Sequence, residues 1–272
     1  MKKAVLVVSF GTSYKEAMEK TIEACENKIK NNLKGYDFYR AFTSNMIIRK
    51  LKNRYGINIE SHIQVLDRLY REGYSEVIIQ TLHIICGEEF NKLKDQVERY
   101  KCKFDKVILG RPLLSTIEDY KDIVEAIKYQ VPDMEENEAL VFMGHGTSNE
   151  SHAIYSVLGY IMRDSGINAY VGTLEGYQEI KQVINRLNEN NIKTVNLMPF
   201  MLVAGNHAIN DMAGDEDDSW KNILEGEGFN VKIHLQGLGE NPYIQDKFKK
   251  HAYDCVKEIN KFKELKETAP WK

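Results

Sequence analysis

Ala139-Leu140-Val141-Phe142-Met143-Gly144-His145-Gly146-Thr147-Ser148 is an apolar run that stops on two glycines flanking a histidine. An unbroken apolar run, without polar alternation, reads as a strand buried on both faces, the kind found inside a parallel sheet. The same pattern occurs near the amino terminus, where Ala4–Phe10 closes in Gly11-Thr12-Ser13. Later segments repeat as well. Val77-Ile78-Ile79-Gln80-Thr81-Leu82, closing in Gly87-Glu88-Glu89, is matched by Val195-Asn196-Leu197-Met198-Pro199-Phe200, closing in Gly205-Asn206-His207. The chain therefore reads as a duplicated α/β unit, and only the second copy carries a set of metal-ligand side chains at its strand ends.

Working outward, strands are predicted at Ala4–Ser9, Asp37–Phe42, Val77–Leu82 and Lys106–Leu109. The second half repeats them at Ala139–Met143, Asn168–Leu174, Val195–Phe200 and Asn230–Leu235. Helical patterns fill the intervals, and strand–helix alternation predicts parallel sheets covered on both faces. Val131-Pro132-Asp133 and the acidic run to Glu138 mark a seam dividing residues 1–131 from 132–272. A last helix, from about Pro242 to Leu265, sets Ile244, Phe248, Tyr253, Val256 and Ile259 at near-helical intervals. It should pack on one of the sheets, and packing across the halves is open to it. The tail Lys266–Lys272 is expected to be loose.

A length of 272 residues suffices for two cores, and 43% apolar with 28% charged residues is ordinary globular content. A net charge of −3 excludes the basic stripe a nucleic-acid partner would need. The amino-terminal apolar run is too short for a signal peptide and flows into a helical pattern, and no stretch is long enough to span a membrane. Cys25, Cys86, Cys102 and Cys255 are scattered without a CxxC pair, so reduced thiols in a cytoplasmic protein are expected. A homo-oligomer is allowed.

In open parallel sheets functional groups gather beyond the carboxyl ends of the strands. His145, Glu175 and His207 stand at or just past three successive strand ends of the second half, where neighbouring strands are about 4.8 Å apart. Two imidazoles and a carboxylate suit a divalent first-row ion with open coordination positions. A single histidine in a loop is more commonly just solvated; three groups at corresponding strand ends carry the reading. Other motifs are weaker. Gly144–Ser148 lacks the full GxGxxG or GxxxxGK[ST] pattern, and Ser148 with His152 lacks a GxSxG elbow. Asp211, Asp215, Glu216, Asp217 and Asp218 read as a solvated helix start that also draws cations toward the crevice. His83 ends the third strand of the first half, with Glu88 and Glu89 beyond it; a buried hydrogen-bonded histidine and a functional one are both open. His62, His234 and His251 read as structural.

Gly144-His145-Gly146-Thr147, Glu175 and above all His207-Ala208-Ile209-Asn210-Asp211-Met212-Ala213-Gly214-Asp215 through Trp220 resemble the class II tetrapyrrole chelatases, and within them the sirohydrochlorin cobaltochelatases of anaerobic cobalamin biosynthesis. The resemblance covers nearly the whole chain. It implies two flavodoxin-like halves, each a four-stranded parallel sheet with helices on both faces, around a cleft for a planar macrocycle. It also implies metal ligation by His145, Glu175 and His207, ATP-independent insertion of Co2+ as substrate, and no separate cofactor. Some members of the family carry signal peptides; the start of this chain reads as the cytoplasmic, biosynthetic type.

On that resemblance, Phe10, Ser13, His83, Glu89 and Leu202 are the expected macrocycle contacts. Lys15, Arg49, Arg111 and Ser148 are rim candidates for its carboxylates, and Tyr14, Leu113, Leu114 and Val203 either touch the ring faces or belong to the core. Phe10 stands where His145 stands, and Thr43 near the position of Glu175, so a single metal on the second-half side is expected. His83 or Glu89 would then serve as a proton acceptor from the first half. Iron or nickel insertion into the same tetrapyrrole, metal-dependent hydrolysis by the same three ligands, and a non-catalytic binding protein remain as alternatives.

Overall fold

The computed structural model describes residues 1–268. Two four-stranded sheets carry the fold, and every neighbouring pair of strands is parallel. The first comprises β1 (Lys2–Ser9), β2 (Asp37–Phe42), β3 (Tyr74–Thr81) and β4 (Lys106–Leu109), in the order β2-β1-β3-β4. The second comprises β5 (Glu138–Gly146), β6 (Ala169–Glu175), β7 (Thr194–Phe200) and β8 (Asn230–Ile233), in the order β6-β5-β7-β8. In each sheet the chain moves outward for its second strand and returns past the first for its third. Loops leaving β1 and β3, and those leaving β5 and β7, therefore part in opposite directions and open a crevice at the carboxyl ends. The central strands are buried on both faces, as at Ala4, Val5, Leu6 and Val8, which explains their uninterrupted apolar runs. β4 and β8, at the sheet edges, are only four residues long, which limits unpaired edge.

Two boundaries differ from the sequence expectation in a way that matters. β5 runs three residues past Met143, because Gly144 and Gly146 stay paired with Thr173 and Glu175 of β6. His145 thus lies inside the strand's end and not in the loop after it. β3 begins earlier, at Tyr74, and β8 ends earlier, at Ile233.

The end helices are exchanged between the halves. The helix Ile117–Ile127, which follows β4, packs on the second-half helix Ala153–Asp164. The last helix, Pro242–Thr268, returns to the first half and packs on the helix Ala24–Asn32, on β3 and on β4. This helix continues past the expected end at Leu265, and the tail beyond residue 268 lies outside the described residues. The exchange gives both sheets one continuous apolar core, in which Val5 and Ile78 join Leu140, Phe142 and Phe200 through Ile123, Ile127 and Phe248. Each such side chain contributes about 1.5–3 kcal/mol on burial. The halves are thereby held in one relation, and so is the cleft. Among the described residues no helix is long and apolar enough to cross a membrane.

Candidate active site

The site is built on the end of β5. Gly146 has φ +83°, and a Cβ there would stand 1.9 Å from the Glu175 carbonyl oxygen, so only glycine lets β5 pass this close to β6. Below it, Tyr155 is buried and its hydroxyl accepts a hydrogen bond from the Gly146 N–H at 3.3 Å, while its ring lies where a Cβ on Gly144 would be, 2.4 Å away. Between these two buried glycines, His145 points out of the sheet and is exposed. Burial of the Tyr155 phenol in this apolar setting raises its pKa to about 12, so it stays neutral. The first half repeats the device without the histidine: Gly11 has φ +93° against the Phe42 ring, and Phe10, 46% exposed, takes the place of His145.

His207 arrives from β7. It precedes a wide helical turn, Ala208–Met212, whose Ala208 and Met212 are fully buried in the second-half core. Its ring centre lies 5.0 Å from that of His145, with the planes at 84°. Its Nδ1 is 2.5 Å from an Asp211 carboxylate oxygen. Glu175 closes β6, exposed, and is register-paired with Gly146, the residue after His145. Among the described residues, no three histidine, cysteine, aspartate or glutamate side chains stand close enough to hold a metal ion together. The two imidazoles are thus adjacent, and the Glu175 carboxylate stands apart from them on the neighbouring strand end.

Loops of the two halves meet across the cleft. The Ser148 hydroxyl donates to Glu88 at 2.5 Å and the Ser151 hydroxyl to the Cys86 carbonyl at 2.8 Å. At the other side, Gly205 approaches the Thr12 hydroxyl. Ser13 is buried, Leu202 is half-buried against the shared core, and Glu89 pairs with Lys92 at 2.9 Å. Three rim or ring-face candidates are corrected. Arg111 is occupied by Asp254 at 3.1 Å and Asp119 at 3.4 Å under the last helix, and Leu113 and Leu114 are fully buried core. Nearness to the end of β4 suggested them, but the charge of Arg111 is taken up beneath the last helix. His62, His234 and His251 are hydrogen-bonded to Gln96, Asn196 and Asp119 respectively.

His83 lies between the two readings left open for it. Its Nδ1 meets the Thr81 hydroxyl at 2.5 Å, and its Nε2 is sealed from solvent with no hydrogen-bond partner among the described residues. Burial brings its pKa from 6.5 down to about 4, against the pull of the Glu89 carboxylate, so it is neutral but a weak base. A histidine whose folded pKa lies below its unfolded one lets the unfolded chain take the extra proton. Stability from this group is present above pH 6.5 and is lost as pH falls toward 4. His83→Gln should therefore flatten the acid-side loss of stability. Urea denaturation at pH 7 and pH 4.5 checks this, and equal losses in both proteins would rule out a buried, neutral His83.

The role of Tyr155 escapes the sequence reading, in which Asp211 belongs to a cation-drawing acidic run and is not the partner of His207. Tyr155 is an ordinary helix aromatic in sequence, with no signal linking it to Gly146. Asp211 had one: it lies four residues after His207, a spacing that places two side chains on one helical face.

Comparison with known proteins shows the family to which the chain belongs. The family model described as cobalt chelatase (CbiK) matches residues 3–257. The sirohydrochlorin cobaltochelatase of Salmonella typhimurium is 45% identical over 256 residues, covering 94% of this chain and 97% of that one. The sirohydrochlorin cobaltochelatase CbiKC of Nitratidesulfovibrio vulgaris is 30% identical over 262 residues, covering 95% of this chain and 92% of that one. SirB from Bacillus subtilis, solved with Fe3+, shares the fold at a TM-score of 0.65 and 15% identity, covering 93% of this chain and 95% of that one. The chain, matched by the family model over nearly its full length, belongs to the cobalt chelatase (CbiK) family.

Proposed function

We propose that this chain is a sirohydrochlorin cobaltochelatase, inserting Co2+ into sirohydrochlorin or precorrin-2 in anaerobic cobalamin biosynthesis, in the cytoplasm and without ATP. The observation that carries the reading is the pair of imidazoles, 5.0 Å apart at the carboxyl ends of β5 and β7, in a chain of the cobalt chelatase family. In the reaction the two pyrrole N–H bonds break, metal–nitrogen bonds form to the ring nitrogens, and two protons leave. The protein must deliver an ion that is partly stripped of water yet easily given up. Neutral imidazoles do this better than thiolates, which bind such ions too firmly to release them.

His145 and His207 hold the ion in this reading, and Glu175 supplies a carboxylate for the third ligand position or for a departing proton. Phe10 faces the cleft from the first half and offers an apolar surface to the flat ring. Ser13, Leu202, Glu89 and His83 surround the same cleft, but His83 is too weak a base to be the main proton acceptor. One metal per chain is expected, on the second-half side. Iron or nickel would fit the same ligand types, and selection among them rests on supply.

Mixing the purified protein with Co2+ and sirohydrochlorin and following the absorption of the metallated ring tests the activity. No rate above the protein-free mixture would overturn the proposal. For Glu175→Gln, which keeps shape and loses charge, kcat should fall about tenfold or more with little change in KM for the tetrapyrrole. A raised KM with unchanged kcat would make Glu175 a macrocycle contact.

A further inference from the structure

Of the five carboxylates between residues 211 and 218, Asp211 is bonded to His207. Asp215, by contrast, turns away to Lys221 at 3.1 Å. We infer that Asp211 is the positioning residue of the site, fixing His207 as the Nδ1–H tautomer so that Nε2 is the atom offered to the incoming ion. This rests on the metal-ligand reading of His207 above.

A carboxylate oxygen accepts hydrogen bonds, so in the 2.5 Å contact with Asp211 the ring donates from Nδ1. With Nδ1 donating, Nε2 is the ring nitrogen left to offer a lone pair. Backbone packing holds this arrangement. Ala208 and Met212, the residues immediately after His207 and Asp211, are both fully buried, whereas Ile209 and Asn210 between them are exposed. Burying the second and the last residue of the segment holds His207 and Asp211 together on its neighbouring face. The turn is closed by Gly214, where a Cβ would stand 2.2 Å from the Asn210 carbonyl oxygen.

The two imidazoles are not equivalent in this respect. Among the described residues, His145 Nδ1 has only the carbonyl of its own neighbour, Gly146, at a long 3.4 Å. His207 is clamped by a carboxylate at 2.5 Å, and His145 is loosely set. An ion passing from protein to macrocycle needs one fixed ligand to define its approach and one that yields easily. Asp211 makes His207 the fixed one.

Asp211→Ala and Asp211→Asn test this, with Co2+ alone as the binding probe and with turnover followed while Co2+ and sirohydrochlorin are varied separately. A lost orienting partner costs about 10- to 100-fold in metal affinity. Asp211→Ala should raise the Co2+ Kd and the KM for Co2+ by that factor, with KM for sirohydrochlorin changed less than about twofold. Long-range proton–nitrogen correlation should show His207 as the Nδ1–H tautomer in the parent protein and a mixture in Asp211→Ala. The asparagine variant, whose amide oxygen still accepts from Nδ1–H, should keep the tautomer and recover most of the affinity. Parent-like tautomer and Co2+ affinity in Asp211→Ala, with affinity lost in His207→Ala, would overturn the inference and leave the ligand reading standing. Undiminished Co2+ affinity in His207→Ala would remove both.

Discussion

Alanine at His207 or at His145 is expected to slow cobalt insertion by more than about a hundredfold, with the protein still folded. The loss follows from coordination. Each truncation removes one of two adjacent nitrogen donors, and the remaining imidazole with an exposed carboxylate cannot strip an aquo ion of enough water to present it to the ring. The fold should tolerate both changes because His145 is exposed and the His207 side chain is 45% exposed, so no core cavity forms. Such surface substitutions usually fall within about 0.5 kcal/mol. On the proposed reading that the two imidazoles act on one ion, the double variant should be little worse than either single one. Steady-state rates with Co2+ and sirohydrochlorin, alongside unfolding midpoints, make the comparison. Folded single variants that both keep kcat/KM within threefold of the parent would end the assignment.

The core of this result was legible in the sequence because the strands are buried on both faces. β1 and β7, buried along most of their length, fall at Lys2–Ser9 and Thr194–Phe200 around the apolar runs that mark them. The edge strands β2 and β4 are only partly buried and still fall at Asp37–Phe42 and Lys106–Leu109, and the parallel α/β pattern follows from the alternation. Strand order then brought His145 and His207 to neighbouring strand ends, β5 beside β7. What sequence could not carry is contact between distant segments. The periodicity of the last helix shows that one face is buried, through Ile244, Phe248 and Ile259, but not that it is buried against the first half. Arg111 was misplaced for that reason: read locally it ends a strand, yet its charge is taken up by Asp254, on a helix that begins more than a hundred residues later. The end of β5 was drawn too short because glycine ordinarily marks a turn, and here Gly144 and Gly146 instead permit close strand pairing. Tyr155, beneath them, is visible only once that pairing exists.

The second large effect concerns the exchanged helices, where Asp119→Ala should cost about 3 kcal/mol of stability. Asp119 lies on the helix Ile117–Ile127 and is 1% exposed; it faces the last helix, with Lys247 Nζ at 2.7 Å and His251 Nε2 at 3.1 Å. It also caps its own helix, accepting from the Thr116 N–H at 2.9 Å. Removing the carboxylate leaves Lys247, 5% exposed, and Arg111 to share the charge of Asp122 and Asp254. Those remaining partners keep the cost from being larger. Despite its burial, the lysine, histidine and threonine contacts hold the Asp119 pKa well below the ordinary carboxylate range. A depressed carboxylate stabilises the fold above its unfolded pKa of about 3.9, and that contribution disappears as pH falls below it. The difference between parent and Asp119→Ala should accordingly be full at pH 7 and shrink below about pH 4. Asp119→Asn, which keeps the cap and loses the charge, should fall between them. Equal urea midpoints for parent and Asp119→Ala at pH 7 would mean that apolar packing alone holds the exchanged helices. A deficit that persists unchanged at pH 3 would assign the loss to the helix cap and not to the buried charges.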